Sequence, residues 1–312
     1  MTNWRDVLLR RPGAPEQLPA PKALRKPAAV APCLGILLPN LANPAFGECI
    51  EGIEGTARAM GYSLLLAFTG NDLSQEDKAI EFLIGRGIAG LLLTVADAHA
   101  SAALAELDRK RLPYVLIYNQ LSHQTRSSVS IDNTLAARNL TETLIQHGHH
   151  SIGMVVASLQ ASDRSVRRLE GYRAALKAHG LPAGPIVEIP SVDIDAEDLQ
   201  TRLQDALLDI PCPSAFFCAS DMLALVTIRG LRKLGYRVPG GISVVGYDGI
   251  ALGQLTDPPL AGVVQPHREL GEKAVSHLIE RITGKAVPSA LLLPHRIRLG
   301  GTLGRWTPTP GA

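Results

Sequence analysis

Short apolar runs recur along this chain. Each is closed by glycine, proline or a polar turn and followed by ten or more residues with helical spacing. Leu34–Leu38 predicts a strand, Asn43-Pro44 a turn, and Ala45 to Met60 a helix with Phe46, Ile50, Ile53 and Ala57 on one face. Ser63–Phe68, Gly90–Thr94 and Tyr114–Tyr118 predict further strands. Helices fall between them over Ser74–Arg86, with Ser74 as N-cap, and about 99–109. Ser128–Ile131 is a short extended piece, and Thr134–His147 predicts a helix. The rhythm then restarts, with strands at Ile152–Val156, Ile186–Ile189, Ala215–Cys218 and Ser243–Tyr247. Helices follow the first three of these at Asp163–His179, Asp195–Leu208 (capped by Asp195) and Asp221–Leu234. A helix over Glu269–Thr283 and a strand over Ala290–Leu299 close the chain. Strands alternating with long helices mean βαβ units and parallel sheets, and two such runs imply two similar lobes.

The run Gly241-Ile242-Ser243-Val244-Val245-Gly246-Tyr247-Asp248-Gly249 concentrates this pattern. Four or five apolar or small residues bounded by turn formers suit a strand covered on both faces. Its carboxyl end is where open α/β sheets place ligands. Asp248 therefore either faces a binding mouth or caps the next short helix.

Composition narrows the function. The 312 residues carry a net charge of +2 with the signs interspersed, against strong non-specific nucleic-acid binding by the body of the protein. Aromatics are too few for a stacking platform. Cys33, Cys49, Cys212 and Cys218 form no C-x-x-C and sit in or near apolar runs, which reads as reduced thiols of a cytosolic protein. No apolar run spans a bilayer, and the N-terminus lacks the pattern of a secretory signal. Residues 1–32 are proline-rich, with six basic against two acidic residues, and are expected to be a disordered tail.

Two motifs are decoys. Gly85-x-Gly87-x-x-Gly90 follows a helix and precedes a strand, the reverse of a dinucleotide fingerprint. His147-Gly148-His149-His150 straddles a helix end, so its rings diverge and do not converge on a metal. No G-x-S-x-G, H-E-x-x-H or P-loop is present, and no nucleophile–base pair. Neither an enzyme, a metal nor a cofactor is expected. Arg164, Arg167 and Arg168 open a helix, where cations oppose the macrodipole. They are either a solvated face with local pairs such as Arg167 with Glu170, or a grip on an anionic or hydroxyl-rich ligand. Phe46 is either a core anchor or a ring on which a ligand stacks.

From Leu34 to about Thr302 the chain resembles the effector-binding portion of LacI/GalR-type transcription regulators. The matching stretches include Leu37-Leu38-Pro39-Asn40-Leu41-Ala42-Asn43-Pro44-Ala45-Phe46, Arg168-Leu169-Glu170-Gly171-Tyr172, Ala219-Ser220-Asp221-Met222-Leu223-Ala224, and Arg237 through Asp248. The resemblance implies a periplasmic-binding-protein-like α/β fold of type I, two Rossmann-like lobes with parallel sheets around a ligand cleft. On that pattern lobe one takes 33–147 plus 265–287, lobe two takes 148–264 plus 288–303, and 304–312 is a tail. It also implies ligand contacts at Phe46 (stacking), Asp132, Arg168, Ser220 and Asp248. Thr69 and Asp72, on the loop after the second strand, join the candidates. So does Tyr118, because Tyr118-Asn119 stands where the family often carries Asp-Arg. That exchange, and serine rather than asparagine at 220, fits a sugar-like ligand less securely than a smaller, more apolar or acidic one. The implied role is that of a cytoplasmic homodimer that senses a small effector. It would meet operator DNA only if a helix-turn-helix head is supplied, which residues 1–32 do not resemble. A binding protein for uptake or chemosensing is the alternative on the same fold.

Overall fold

The computed structural model describes residues 31–307 except 71, 122–125, 190–196, 209–210 and 287. The expected basic tail before residue 31, the cap at Asp195 and the end of the C-terminal tail lie outside the described residues.

The first half runs β1 (Cys33–Leu38), α1 (Pro44–Ala59), β2 (Ser63–Phe68), α2 (Glu76–Gly85), β3 (Gly90–Leu93), α3 (Ala102–Lys110), β4 (Tyr114–Ile117) and β5 (Ser128–Ile131). The second runs α4 (Asn133–Gln146), β6 (Ile152–Ala157), α5 (Asp163–Ala178), β7 (Ile186–Ile189), α6 (Glu197–Leu207), β8 (Ala215–Cys218), α7 (Asp221–Lys233), β9 (Ser243–Asp248) and β10 (Ala261–Val264). Then come α8 (His267–Ile282), β11 (Ala290–Leu293) and β12 (Arg296–Arg298). Sheet one is ordered β11-β5-β4-β3-β1-β2 and is parallel throughout. Sheet two is ordered β12-β10-β9-β8-β6-β7, with only β12 antiparallel. Apart from the added edge strands, the two orders are the same: β2-β1-β3-β4-β5 repeats as β7-β6-β8-β9-β10. Each sheet has its topological switch beside its first strand, and ligands of open α/β sheets lie outside the carboxyl ends at such a point.

The inner strands β3, β4, β5, β8 and β9 are buried along their whole length, as a sheet covered on both faces requires. Glycines allow the closest approaches. A Cβ on Gly52 would lie 2.2 Å from the Arg268 carbonyl and one on Gly271 2.3 Å from that of Cys49, so α1 and α8 pack almost backbone to backbone.

The structure changes the expected layout in four places. The closing strand is two strands: β11 pairs with β5 in sheet one, and β12 with β10 in sheet two. β10 was not expected at all; its small residues Ala261 and Gly262 weaken the apolar signal. Helix α4, expected in lobe one, packs on α5 and against β10 and β12, with the Thr134 carbonyl 2.1 Å from where a Cβ on Gly171 would stand. The chain therefore passes between the sheets at 131–133, 264–267 and 293–296. Finally, Ser74 does not cap α2. A 3₁₀ turn over Leu73–Gln75 precedes that helix, and Asp72 accepts the Ser74 N–H at 2.9 Å.

Candidate functional site

Helices that follow parallel strands begin at the strands' carboxyl ends, so their N-caps gather at the cleft. Asn43 caps α1, Asp132 caps α4, Ser162 caps α5 and Ser220 caps α7, each by accepting a backbone N–H. Two residues expected to hold ligand, Asp132 and Ser220, are thus committed with one oxygen to a helix. The Asp132 bond to Leu135 N is 2.9 Å and the Ser220 bond to Leu223 N is 3.2 Å. Each oxygen keeps a lone pair for another donor.

The described residues include three non-glycine positions with positive φ: Arg111, Tyr118 and Asp248. Left-handed backbone costs an L-residue about 1–2 kcal/mol. Tyr118 (φ 69°) follows β4 and Asp248 (φ 139°) ends β9. These strands occupy equivalent places in the two sheets. The two strained residues are also joined. His267 Nε2 lies 3.0 Å from the Asp248 carbonyl, and its Nδ1 lies 3.0 Å from the Tyr118 hydroxyl. A carbonyl only accepts, so Nε2 carries the proton. Burial holds the imidazole below its ordinary range, against the pull of the Asp248 and Glu48 carboxylates, so the ring is neutral. Nδ1 then accepts, and Tyr118 donates. Burial keeps that phenol protonated. The Phe46 ring meets Tyr118 edge to face, with centroids 5.5 Å apart and planes at 82°.

Asp248 is buried and accepts two amides, Asn43 Nδ2 and Gln265 Nε2, each at 2.9 Å. The first bond crosses from sheet one to sheet two. Asp248 does not cap the segment after it. The Asp221 carboxylate does, accepting from Gly249 N at 2.7 Å and Ile250 N at 2.8 Å. Burial and the nearby Asp248 charge push the Asp221 carboxyl up to about 7.

Arg168 is also buried. Its Nε donates to Asn133 Oδ1 at 3.0 Å, its Nη1 donates to the Ala219 carbonyl at 2.5 Å, and Cζ lies 3.8 Å from the centre of the Tyr247 ring. Tyr247 in turn donates to Asn133 Oδ1 at 3.2 Å. Arg164 is buried too, with Nη1 2.8 Å from the Val95 carbonyl and 3.2 Å from Asp163 Oδ1. The solvated-face alternative therefore fails for both. Only Arg167 points outward, with Nη2 3.3 Å from His99 Nε2.

A second crossing between the lobes lies at the start of α5. Asn119 Nδ2 donates to Asp163 at 2.9 and 3.0 Å, and Ala98 N donates to Asp163 Oδ2 at 3.2 Å. Asp163 N donates to the Ala96 carbonyl at 2.7 Å. Asn119 is fully buried and also exchanges both amide bonds with Val95, so it is a strut between lobes.

Thr69 is buried beside a cavity of about 10 Å³ lined by Pro39, Glu76, Thr94 and Arg164. Asp72 is exposed, its carboxylate taken by Ser74 and Gln75. The structure thus gathers Phe46 with Tyr118, binds Tyr118 to Asp248 through His267, and sets Arg168, Asp132 and Ser220 on the facing helix starts. Asp72 stays outside. Sequence reasoning missed Asn43, Asn133, Tyr247, Gln265 and His267. The available signal was position, since each lies at the end of a strand or in the connection from a strand's carboxyl end to the next helix start.

The histidine cluster is a staple. His149 Nε2 lies 3.1 Å from the Gly304 carbonyl, Nδ1 lies 3.0 Å from Ser214 Oγ, and the ring stacks on Trp306. Among the described residues no three His, Cys, Asp or Glu side chains converge as a metal site, and no helix is long and apolar enough to cross a membrane.

Comparison with known proteins meets this geometry at the level of the family. Residues 31–299 match the family of periplasmic binding proteins and the sugar binding domain of the LacI family. The HTH-type transcriptional repressor CytR of Escherichia coli K12 is 33% identical over 256 residues, 81% of this chain and 74% of the relative. The transcription regulator GntR of Chromobacterium violaceum superimposes with a TM-score of 0.77 at 28% identity, covering 87% of this chain and 99% of that one. The transcriptional regulator CelR in complex with cellobiose does so with a TM-score of 0.75 at 27% identity, covering 86% and 84%. These relatives are transcription regulators, not enzymes. By its sequence and its twice-repeated sheet order, this chain belongs to the LacI family of transcriptional regulators, as its effector-sensing, periplasmic-binding-protein-like core.

Proposed function

We propose that the cleft takes a small hydroxylated molecule, a sugar or an organic acid derived from one, against Phe46, Tyr118, Asp132, Arg168, Ser220 and Asp248. The observation that carries this reading is the pair of strained residues, Tyr118 and Asp248, at matching strand ends and joined by His267. Strain of that kind persists where surrounding structure holds a group in place for use. An aromatic ring takes the apolar face of a sugar, while a carboxylate and a guanidinium take vicinal hydroxyls in pairs. The cellobiose in the related CelR structure supports a carbohydrate. The bonds Asn43–Asp248 and Asn119–Asp163 tie the lobes together across the site, so the lobes part to admit such a molecule. Parting breaks Asn43–Asp248 and Asn119–Asp163, and the ligand replaces the bonds around Asp248.

Ligand and lobe angle are then linked, because a ligand shifts the angle by its differential affinity for open and closed forms. In a cytoplasmic dimer that angle sets the spacing of two helix-turn-helix heads on operator DNA. The dimer reading is supported by a groove of about 530 Å³ lined by Leu225, Ile228 and Pro258 with Arg229, Arg232, Lys233 and Asp257, and by the exposed Leu252 and Leu255. Titration calorimetry with ribose, gluconate and cellobiose tests the site. Saturable binding of one of them, lost in Arg168→Ala, is expected. Binding of equal strength in Arg168→Ala and Asp248→Ala would refute it.

A further inference from the structure

The third positive-φ residue is nowhere near the cleft. Arg111 follows α3 with φ 56°. Among the described residues, six other helices are followed by a positive-φ glycine within two residues of their last turn: Gly61, Gly87, Gly148, Gly180, Gly235 and Gly284. Glycine is the residue that fits this position without strain. At α3 alone among these seven, an arginine occupies it.

Arg111 lines a groove of about 410 Å³ between the carboxyl ends of α3 and α8. Leu112 and Pro113 give it apolar surface, and Arg281 and Lys285 line it with Arg111. The groove lies where β3 and β4 begin, at the end of sheet one away from the cleft. The acid lining it is Asp108, and that charge is already spent. Tyr114 donates to it at 2.7 Å, and Arg126 donates twice, at 3.0 and 3.2 Å. Arg281 donates to Ser127 Oγ at 3.0 Å. Among the described residues neither Arg111 nor Lys285 has a carboxylate within ion-pair distance.

Basic residues near a helix carboxyl end ordinarily offset its dipole, which amounts to roughly half a negative charge. α3 already carries Arg109 and Lys110 in its last turn, both paired with Glu106. Two half charges do not balance three full cations, so the groove is positive. Dipole compensation also does not require Arg111 to sit in left-handed backbone.

We propose that this groove is a second ligand site, specific for a small phosphomonoester, with Arg111, Arg281 and Lys285 holding the phosphate and Leu112 and Pro113 bearing the organic part. A phosphate offers oxygens to several cations at once, and guanidinium forks match it in pairs. The volume is that of a small-molecule site.

Arg111→Gly tests this with opposite signs on stability and binding. The full chain is titrated with ribose 5-phosphate, inorganic phosphate and ribose. Wild type binds the sugar phosphate saturably, and Arg111→Gly weakens that binding at least about tenfold, the effect of one lost charge-assisted contact. Without ligand, Arg111→Gly melts higher by about 2 °C, because the strain is gone. Arg281→Gln with Lys285→Gln weakens binding likewise, and Arg168→Ala in the cleft leaves it unchanged. Inorganic phosphate binding as tightly as the ester, and equally dependent on Arg111, keeps the anion site and assigns free phosphate as its source. Absence of saturable phosphate binding, unchanged affinity in Arg111→Gly, or loss in Arg168→Ala instead would overturn the proposal.

Discussion

His149 and His267 are wired alike and do opposite things. Each is buried, each gives Nε2–H to a main-chain carbonyl, and each has a hydroxyl 3.0 Å from Nδ1. His149 ties β8's leading residue Ser214 to the segment ending at Trp306, and every partner belongs to one lobe. His267 opens α8, which packs on sheet one, and its two partners are Tyr118 beside sheet one and Asp248 in sheet two. The same imidazole geometry is a staple where its partners move together and a coupling where they do not. What decides function here is the membership of the partners, which the residue type alone does not disclose.

The largest expected effect falls on the coupled region. Arg168→Ala and Asp248→Ala should each lower effector affinity by at least about a hundredfold, since each removes a charged group proposed to hold the ligand. Circular dichroism should show the fold intact. Affinity within threefold of wild type in both would break the distinction between the two regions.

Next in size is the staple. His149→Ala removes two buried hydrogen bonds and a stacked ring, and should cost about 2–4 kcal/mol in denaturant melts. Effector affinity should stay unchanged. The pH dependence carries the same signature. Burial lowers His149 from 6.5 to about 4, so between those values the unfolded chain takes up a proton that the folded one refuses. Its contribution is complete above pH 6.5, falls as the pH drops towards 4, and is constant below that. The raised carboxyl of Asp221 acts in the other direction, favouring the fold as pH falls from 7 towards 4. Melts of His149→Ala against wild type across this range isolate the histidine, and parallel curves would exclude it as a source of acid sensitivity.

Tyr118→Phe is a smaller and sharper test. It deletes one hydroxyl and leaves His267 Nδ1 without its donor, for about 1–2 kcal/mol of stability. Effector affinity should also drop, because the link between Tyr118 and Asp248 is cut. A stability loss with no change in affinity would reduce His267 to a second staple. The smallest effect is expected at Asp72→Ala. Its carboxylate forms a solvent-exposed turn, so melting temperature and effector affinity should barely move. A loss of affinity there would extend the site onto the loop after β2.

The alternation of apolar runs and helical spacing was enough to read both sheets and nearly every helix, because inner strands covered on two faces leave an unbroken apolar signal. It was not enough for β10, whose Ala261 and Gly262 suit close packing: a Cβ on Gly262 would meet the Gly246 carbonyl at 2.3 Å. It also ran the last two strands together, since which sheet a strand joins depends on long-range pairing. At the site, Arg168 and Asp248 were legible as charges placed at strand and helix ends. The sequence did not reveal that Asp221, not Asp248, holds the following turn, or that Asn119 is a strut. Both depend on long-range pairing, of Asp221 with Gly249 and Ile250 and of Asn119 with Asp163, which spacing along the chain does not show.

The three passages between the sheets have a mechanical meaning. β5 and β11 are neighbours at one edge of sheet one, and β10 and β12 are neighbours at one edge of sheet two. All three straps therefore lie side by side along one border of the molecule. Three straps in a row resist twisting and sliding but bend readily about the line that joins them, as a door does on three hinges. A ligand seated between the sheets would then act on one variable, the angle about that line.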